Sequence, residues 1–143
     1  MKFSKKVSAL LAATVFFAAS AVPAMAAQVT FRFAGQEPAE HACTAMMKDF
    51  AKTIAKRTNG RVEIKVFPAN QLGDYSLVME ELVKGTIDMS VTSFASQFDP
   101  RFELVYINGY VNSYAEAKKV FNPGAWLPNK LNELGKPLGV RVL

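Results

Sequence analysis

The side chains of this chain that could do chemistry are few and scattered. His41 is the only histidine and Cys43 the only cysteine among 143 residues. A protein-held metal needs several donors at ligand spacing, and the chain has no Cys-x-x-Cys, second histidine or His-x-x-x-Asp arrangement to supply them. His41 therefore reads as a solvated helix position. No G-x-S-x-G elbow or other activated-serine motif accompanies it, so a Ser-His-Asp hydrolase loses its support. Asp88 lacks a second carboxylate placed by spacing for acid–base work and reads as the cap of a neighbouring loop. Glu80 and Glu81 read as a solvated helix face, and Cys43, among Ala42, Ala45 and Met46, as a small buried hydrophobe. The expectation is a protein that is not an enzyme and carries no cofactor or metal.

Binding chemistry is the next possibility. Gly73 and Gly85 bracket a helix whose N-terminus could cradle a phosphate, but Asp74 at the cap position already occupies those amides and would repel an anion. Phe94 and Phe98 follow the carboxyl end of a strand, where an aromatic ring could flank a solute. Core packing is the competing reading for both.

The elements that must position these residues alternate in type. Val29 to Ala34 alternates with Val29, Phe31 and Phe33 on one side, which predicts a first strand. Pro38, beside Glu37 and Glu40, is placed to open a helix from about Pro38 to Thr58. Cys43, Met46, Met47, Phe50 and Ile54 form its apolar stripe, and Asn59-Gly60 its left-handed exit. Val62 to Phe67 is a second strand stopped by Pro68. Asp74 caps a second helix with Tyr75, Val78, Met79, Leu82 and Val83 on one face and Gly85 at its end. A third strand places Ile87, Met89 and Val91 together.

The pattern weakens from Ser93 to Asn112, where only the Asp99-Pro100 turn is legible. Ser113 and Glu116 form a capping box for a helix from Tyr114 to Phe121. Another helix should run from about Trp126 to Leu134, and Leu138 to Leu143 reads as a fourth strand. Strands alternating with helices predict an α/β fold, a largely parallel sheet with helices on both faces. A crevice in such a fold lies beyond the carboxyl ends of the strands. The loops to watch are Gly35 to Ala39, Ala69 to Asp74 and Ser93 to Gln97.

The ends and the composition bound the class further. Lys2, Lys5 and Lys6 precede an uncharged run from Val7 to Ala19, and Ala24-Met25-Ala26 supplies a cleavage pattern, so residues 1–26 read as a secretory signal peptide cut after Ala26. The run is too short for a transmembrane anchor. Without the leader the basic residues fall from 17 to 14 against 12 acids, and the net charge from +5 to +2. That balance argues against nucleic acid or an anionic membrane surface as partner. Residues 27–143 suffice for one domain, and a single cysteine leaves its stability to packing alone.

The run RVEIKVFPANQLGDYSLVMEELVKGTIDMSV, from Arg61 to Val91, resembles the solute-binding proteins of tripartite ATP-independent periplasmic (TRAP) transporters, the DctP-type family. NGRVEIKVFP, QLGD, VKGTIDM and SYAEAKKVF recur there in similar order, so the resemblance covers nearly the whole mature chain. It implies the first domain of a two-domain periplasmic binding-protein fold of type II-like organisation, incomplete here. It also implies capture of a small organic acid in the periplasm and delivery to a membrane permease. Residue by residue, it places ligand contacts at Gln36 or Glu37 and at Ser93 with Phe94 beside it. The sequence departs from the family at Ile107 to Val111, where Asn108-Gly109 replaces a Leu-Pro-aromatic run.

In the family the arginine that pairs with the solute carboxylate, the second domain and a returning hinge strand lie beyond the fourth strand. The chain is therefore expected to behave as a fragment that binds solute weakly or not at all by itself, with exposed apolar surface and an unpaired sheet edge that favour self-association. A small secreted α/β module that binds another protein is the competing expectation.

Overall fold

The computed structural model describes residues 28–143. The expected leader and its cleavage site lie outside the described residues. Three strands, β1 (Val29–Gly35), β2 (Val62–Phe67) and β3 (Met89–Val91), form a parallel sheet in the order β2-β1-β3. Phe33 sits opposite Val66 of β2 and Met89 of β3, which makes β1 the central strand. Its alternation supplies both faces of the sheet with core residues.

Helix α1 (Ala42–Arg57) covers one face and helix α2 (Tyr75–Lys84) the other. Phe33, Ile64 and Met47 pack under α1, with Phe31, Ile54 and Met89 at their margin. On the opposite face Ala34 meets Val78 of α2, Ile87, Leu72 and Leu82. The expected parallel sheet with helices on both faces is thus present, and the turn chemistry behind it is local. Asp74 accepts from the Leu77 amide at 2.9 Å, and Gly85 closes α2 at φ +76. Asn59 and Gly60 leave α1 through left-handed backbone, at φ +51 and +76.

Four local expectations change. Helix α1 begins at Ala42 rather than Pro38, because residues 38–41 form a turn in which the His41 amide donates to the Pro38 carbonyl. His41 is the N-cap, its Nδ1 accepting from the Cys43 amide at 3.2 Å, and not a position within the helix. The apolar stripe of α1 is also split. Thr44 and Met47 are buried, Cys43 is only half-buried, and Met46 and Phe50 stay exposed because they face an open trough beside β3. In the third strand Ile87 does not share a face with Met89. Its amide donates to Glu81 of α2 before the ladder begins, so it packs with Ala34 and Val78.

The second half of the chain builds a further core, joined by Met79 of α2. A 3-10 helix over Pro100–Tyr106, unforeseen in the weakly patterned segment, buries Phe102 completely. Helix α3 (Tyr114–Phe121) follows the expected cap: Ser113 Oγ accepts from the Glu116 amide, and Glu116 Oε2 accepts from the amide of Asn112. Helix α4 (Trp126–Gly135) contributes Leu127, Leu131 and Leu134, which meet Phe102, Ala95 and Met79.

The expected fourth strand is absent among the described residues. Lys136–Leu138 is a short 3-10 turn, Gly139 is left-handed at φ +71, and residues 140–143 run on without a ladder. Asn132 is the reason. Its Oδ1 accepts from the Val142 amide at 2.7 Å and its Nδ2 donates to the Val142 carbonyl at 3.0 Å, tying the segment to α4 instead of the sheet.

One surface pair in this half has a measurable signature. Arg101 donates from Nε and Nη2 to the Asp99 carboxylate, and its amide donates to the same group, so the Asp99 pKa falls from 3.8 to about 2. A depressed folded pKa contributes stability above the unfolded value of 3.8 that is lost as pH falls through about 2. A carbon-detected NMR titration should place the Asp99 midpoint near the lower value, and Arg101→Ala should return it toward the upper one. A midpoint unmoved by that substitution would remove the pair as the cause.

Candidate functional site

The carboxyl ends of all three strands converge where the sequence places the crevice, and their loops are tied together. The loop after β2 passes through Ala69 and Asn70, both left-handed, at φ +54 and +56. Its amides dock on the loop after β1: Ala69 N donates to the Glu37 carbonyl at 2.8 Å and Asn70 N to that of Gly35 at 3.1 Å. Thr44, fully buried at the start of α1, adds a hydroxyl bond to the same Glu37 carbonyl.

Gln36 joins the loops after β1 and β3. Its Oε1 accepts from the Ser93 amide at 3.1 Å, the Ser93 hydroxyl at 3.3 Å and the Thr92 hydroxyl at 3.4 Å. Its Nε2 donates to Glu37 Oε1 at 3.2 Å, and Glu37 Oε2 lies 3.9 Å from His41 Nε2. Gln36, Glu37 and Ser93 are therefore brought together as one polar chain, with His41 at its end. The carboxamide of Gln36 is spent on holding Ser93, which makes it a positioning group in this conformation. Thr92 is a member that sequence reasoning missed, since its polarity reads only as the outer face of a strand.

Phe94 points elsewhere. Its ring stacks on Phe102 at 5.1 Å, and its carbonyl accepts from the Tyr106 hydroxyl at 2.6 Å. The core reading accounts for most of this side chain, although Phe94, like Ser93, also lines the trough. Phe98 packs against the same core.

The trough has a volume of about 740 Å³ and runs along the outer side of β3. Its walls are β3 with Thr92 to Phe94 on one side and residues 139–143 on the other, above Met46, Met47 and Phe50. Asp88 stands at one end, where its Oδ2 accepts from the Arg32 amide of β1 at 2.7 Å. It caps a strand that β3 is too short to pair there. Among the described residues no three His, Cys, Asp or Glu side chains gather at metal-binding distance.

A small parallel sheet sandwiched by helices, with its loop cluster at the carboxyl ends of the strands, defines an α/β domain of the kind whose crevice lies at those loops. Residues 33–143 match the bacterial extracellular solute-binding proteins of family 7, DctP, and the chain belongs to that family. An uncharacterized Haemophilus influenzae protein is 29% identical over 135 residues, which are 94% of this chain and 40% of that protein.

Among solved structures, a TRAP periplasmic solute-binding protein from Haemophilus influenzae with bound L-gulonate is similar with a TM-score of 0.70 and 26% identity, over 80% of this chain and 38% of that one. Another, from Desulfovibrio salexigens with bound orotic acid, has a TM-score of 0.68 and 26% identity over 77% and 36% of the two chains. A third, from Ochrobactrum anthropi, has a C-terminus bound in the ligand-binding pocket; its TM-score is 0.70 at 25% identity, over 79% and 35%. The chain spans about two fifths of the length of the relatives it matches. The family and these solved relatives are solute-binding proteins of transport systems and not enzymes.

Proposed function

We propose that this chain carries the first-domain wall of a periplasmic solute-capture protein, taking a small organic acid for a TRAP membrane permease. The observation that carries the reading is the Gln36–Ser93 connection at the carboxyl ends of β1 and β3, in a chain whose family match runs from residue 33 to residue 143. Relatives solved with gulonate and orotic acid make a carboxylate the ligand class to test. Ser93 and Glu37 are the contacts, Gln36 holds Ser93 in place, and Phe94 gives an apolar rim. No helix among the described residues is long and apolar enough to cross a membrane.

A single wall leaves half of a small solute in water, so the affinity of the chain by itself should fall short of micromolar. Titration of the full chain with L-gulonate, orotate and succinate, followed by amide NMR, should shift Ser93 and its neighbours for at least one acid. Gln36→Ala should weaken that response about tenfold by freeing Ser93, a loss of roughly 1.4 kcal/mol. Amides that stay still for all three acids at millimolar concentration would overturn the reading.

A further inference from the structure

The polar chain at the carboxyl ends of β1 and β3 has a fixed direction. A backbone amide can only donate, so the 3.1 Å bond from the Ser93 amide identifies the oxygen of the Gln36 carboxamide and turns Nε2 toward Glu37. That oxygen accepts and cannot donate. The hydroxyls of Ser93 at 3.3 Å and Thr92 at 3.4 Å must therefore both give it their protons.

What these side chains leave unspent is one-sided. Ser93 and Thr92 keep only lone pairs, and Gln36 keeps a single N–H. Glu37 accepts one bond, from Gln36, and among the described residues the only basic group within ion-pairing distance of its carboxylate is the exposed His41, at 3.9 Å. No lysine or arginine occurs in residues 35–41, 68–74 or 92–98, which carry the three loops. Two bases come from other elements, and both are placed elsewhere: Lys48 of α1 donates to the Ala39 carbonyl at 3.4 Å, and Arg141 lines the trough. The acid Asp74 is spent on the Leu77 amide.

Building on the capture of a small acid proposed above, we infer that this wall takes the donor-bearing end of the solute, an ammonium or a set of hydroxyls, and that the solute carboxylate points away from it. A carboxylate laid against Glu37 and the two spent hydroxyls meets like charge and lone pairs, with one N–H of Gln36 to bond. An N–H or O–H meets acceptors at Ser93, Thr92 and Glu37. Hydrogen bonds between charged groups are the stronger class, which ranks an ammonium ahead of a hydroxyl at Glu37. The solute class is thus an acid whose polar donors lie remote from its carboxylate.

Acids of equal chain length separate the two donor types: L-gulonate carries hydroxyls, 6-aminohexanoate a terminal ammonium, and hexanoate neither. In NMR titrations of the full chain, the Gln36 side-chain amide and the Ser93 amide should respond to gulonate or 6-aminohexanoate at least tenfold more tightly than to hexanoate. Glu37→Gln keeps the shape and removes the charge, so it should cut the advantage of 6-aminohexanoate about tenfold and leave hexanoate unchanged. Ser93→Ala removes an acceptor oxygen and should weaken gulonate in the same way. Hexanoate binding as tightly as the other two, or a preference untouched by its variant, would overturn the inference and leave acid capture standing. Silence of all three acids would overturn both. A response to 6-aminohexanoate matched in full by hexylamine, which has no carboxylate, would uphold donor recognition and remove acid capture.

Discussion

Replacing Phe102 with alanine is expected to unfold a large fraction of this chain at physiological temperature. The ring has no exposed surface, stacks on Phe94 at 5.1 Å and stands among Leu127, Leu131 and Leu134. Truncating a buried phenylalanine costs about 3–5 kcal/mol in lost transfer energy and residual cavity. Domains of this size are commonly stable by only about 5–15 kcal/mol, so the loss takes from about a fifth of the total to nearly all of it. Thermal unfolding of Phe102→Ala should fall by some 10–20 °C. Phe102→Leu, which keeps most of the volume, should lose about 1.5 kcal/mol or less. Equal losses for the two variants would mean that ring stacking, and not cavity volume, dominates. The effect reaches the proposed contact because Phe94 follows Ser93 directly, so the core that holds its ring also sets the end of the β3 loop.

The second large effect is expected at Asp88. Its carboxylate accepts from the Arg32 amide at 2.7 Å, just before the β3 ladder, where the Asp88 amide in turn donates to the Arg32 carbonyl at 3.2 Å. The bond replaces a missing rung of the ladder. Bonds to a charged acceptor are worth about 1.5–3 kcal/mol, and Asp88→Ala would also leave a strand amide unpaired. Asp88→Asn keeps an acceptor of the same shape and should lose less than half as much. The measurement is chemical denaturation of both variants beside the parent, with amide exchange at Arg32 as the local readout. An Arg32 amide still protected in Asp88→Ala would show that the carboxylate is dispensable there. Because Asp88 fixes where β3 starts, exchange should also quicken at Ser93.

Much of the first half of the chain was legible without coordinates. Its strands, α2 and the parallel arrangement follow from period-two and helical patterning, and Asp74, Gly85, Asn59-Gly60 and Ser113 act through bonds or dihedrals within a few residues of themselves. Such signals are written locally and can be read locally. The start of α1 was misplaced because Pro38 and His41 can both open a helix. The docking of Ala69 and Asn70 on the preceding loop goes with the later start. Val140 and Val142 alternate as strand residues do, but a strand is defined by its neighbour, and Asn132 ties this segment to α4.

The candidate site divides in the same way. Gln36, Glu37 and Ser93 were reached through a family resemblance, and the structure places them together across a sequence separation of 57 residues. That Gln36 spends its carboxamide on Ser93, that Phe94 turns into the Phe102 core, and that Asp88 caps β1 are all long-range facts. The sequence by itself determined the first three strands, the four helices and their order, and pointed to the family, because periodicity, caps and turn residues depend on near neighbours. Only the tertiary structure decided which edge of β3 stays open, which apolar residues of α1 remain exposed and which polar groups hold each other, because those outcomes depend on what another part of the chain brings into contact.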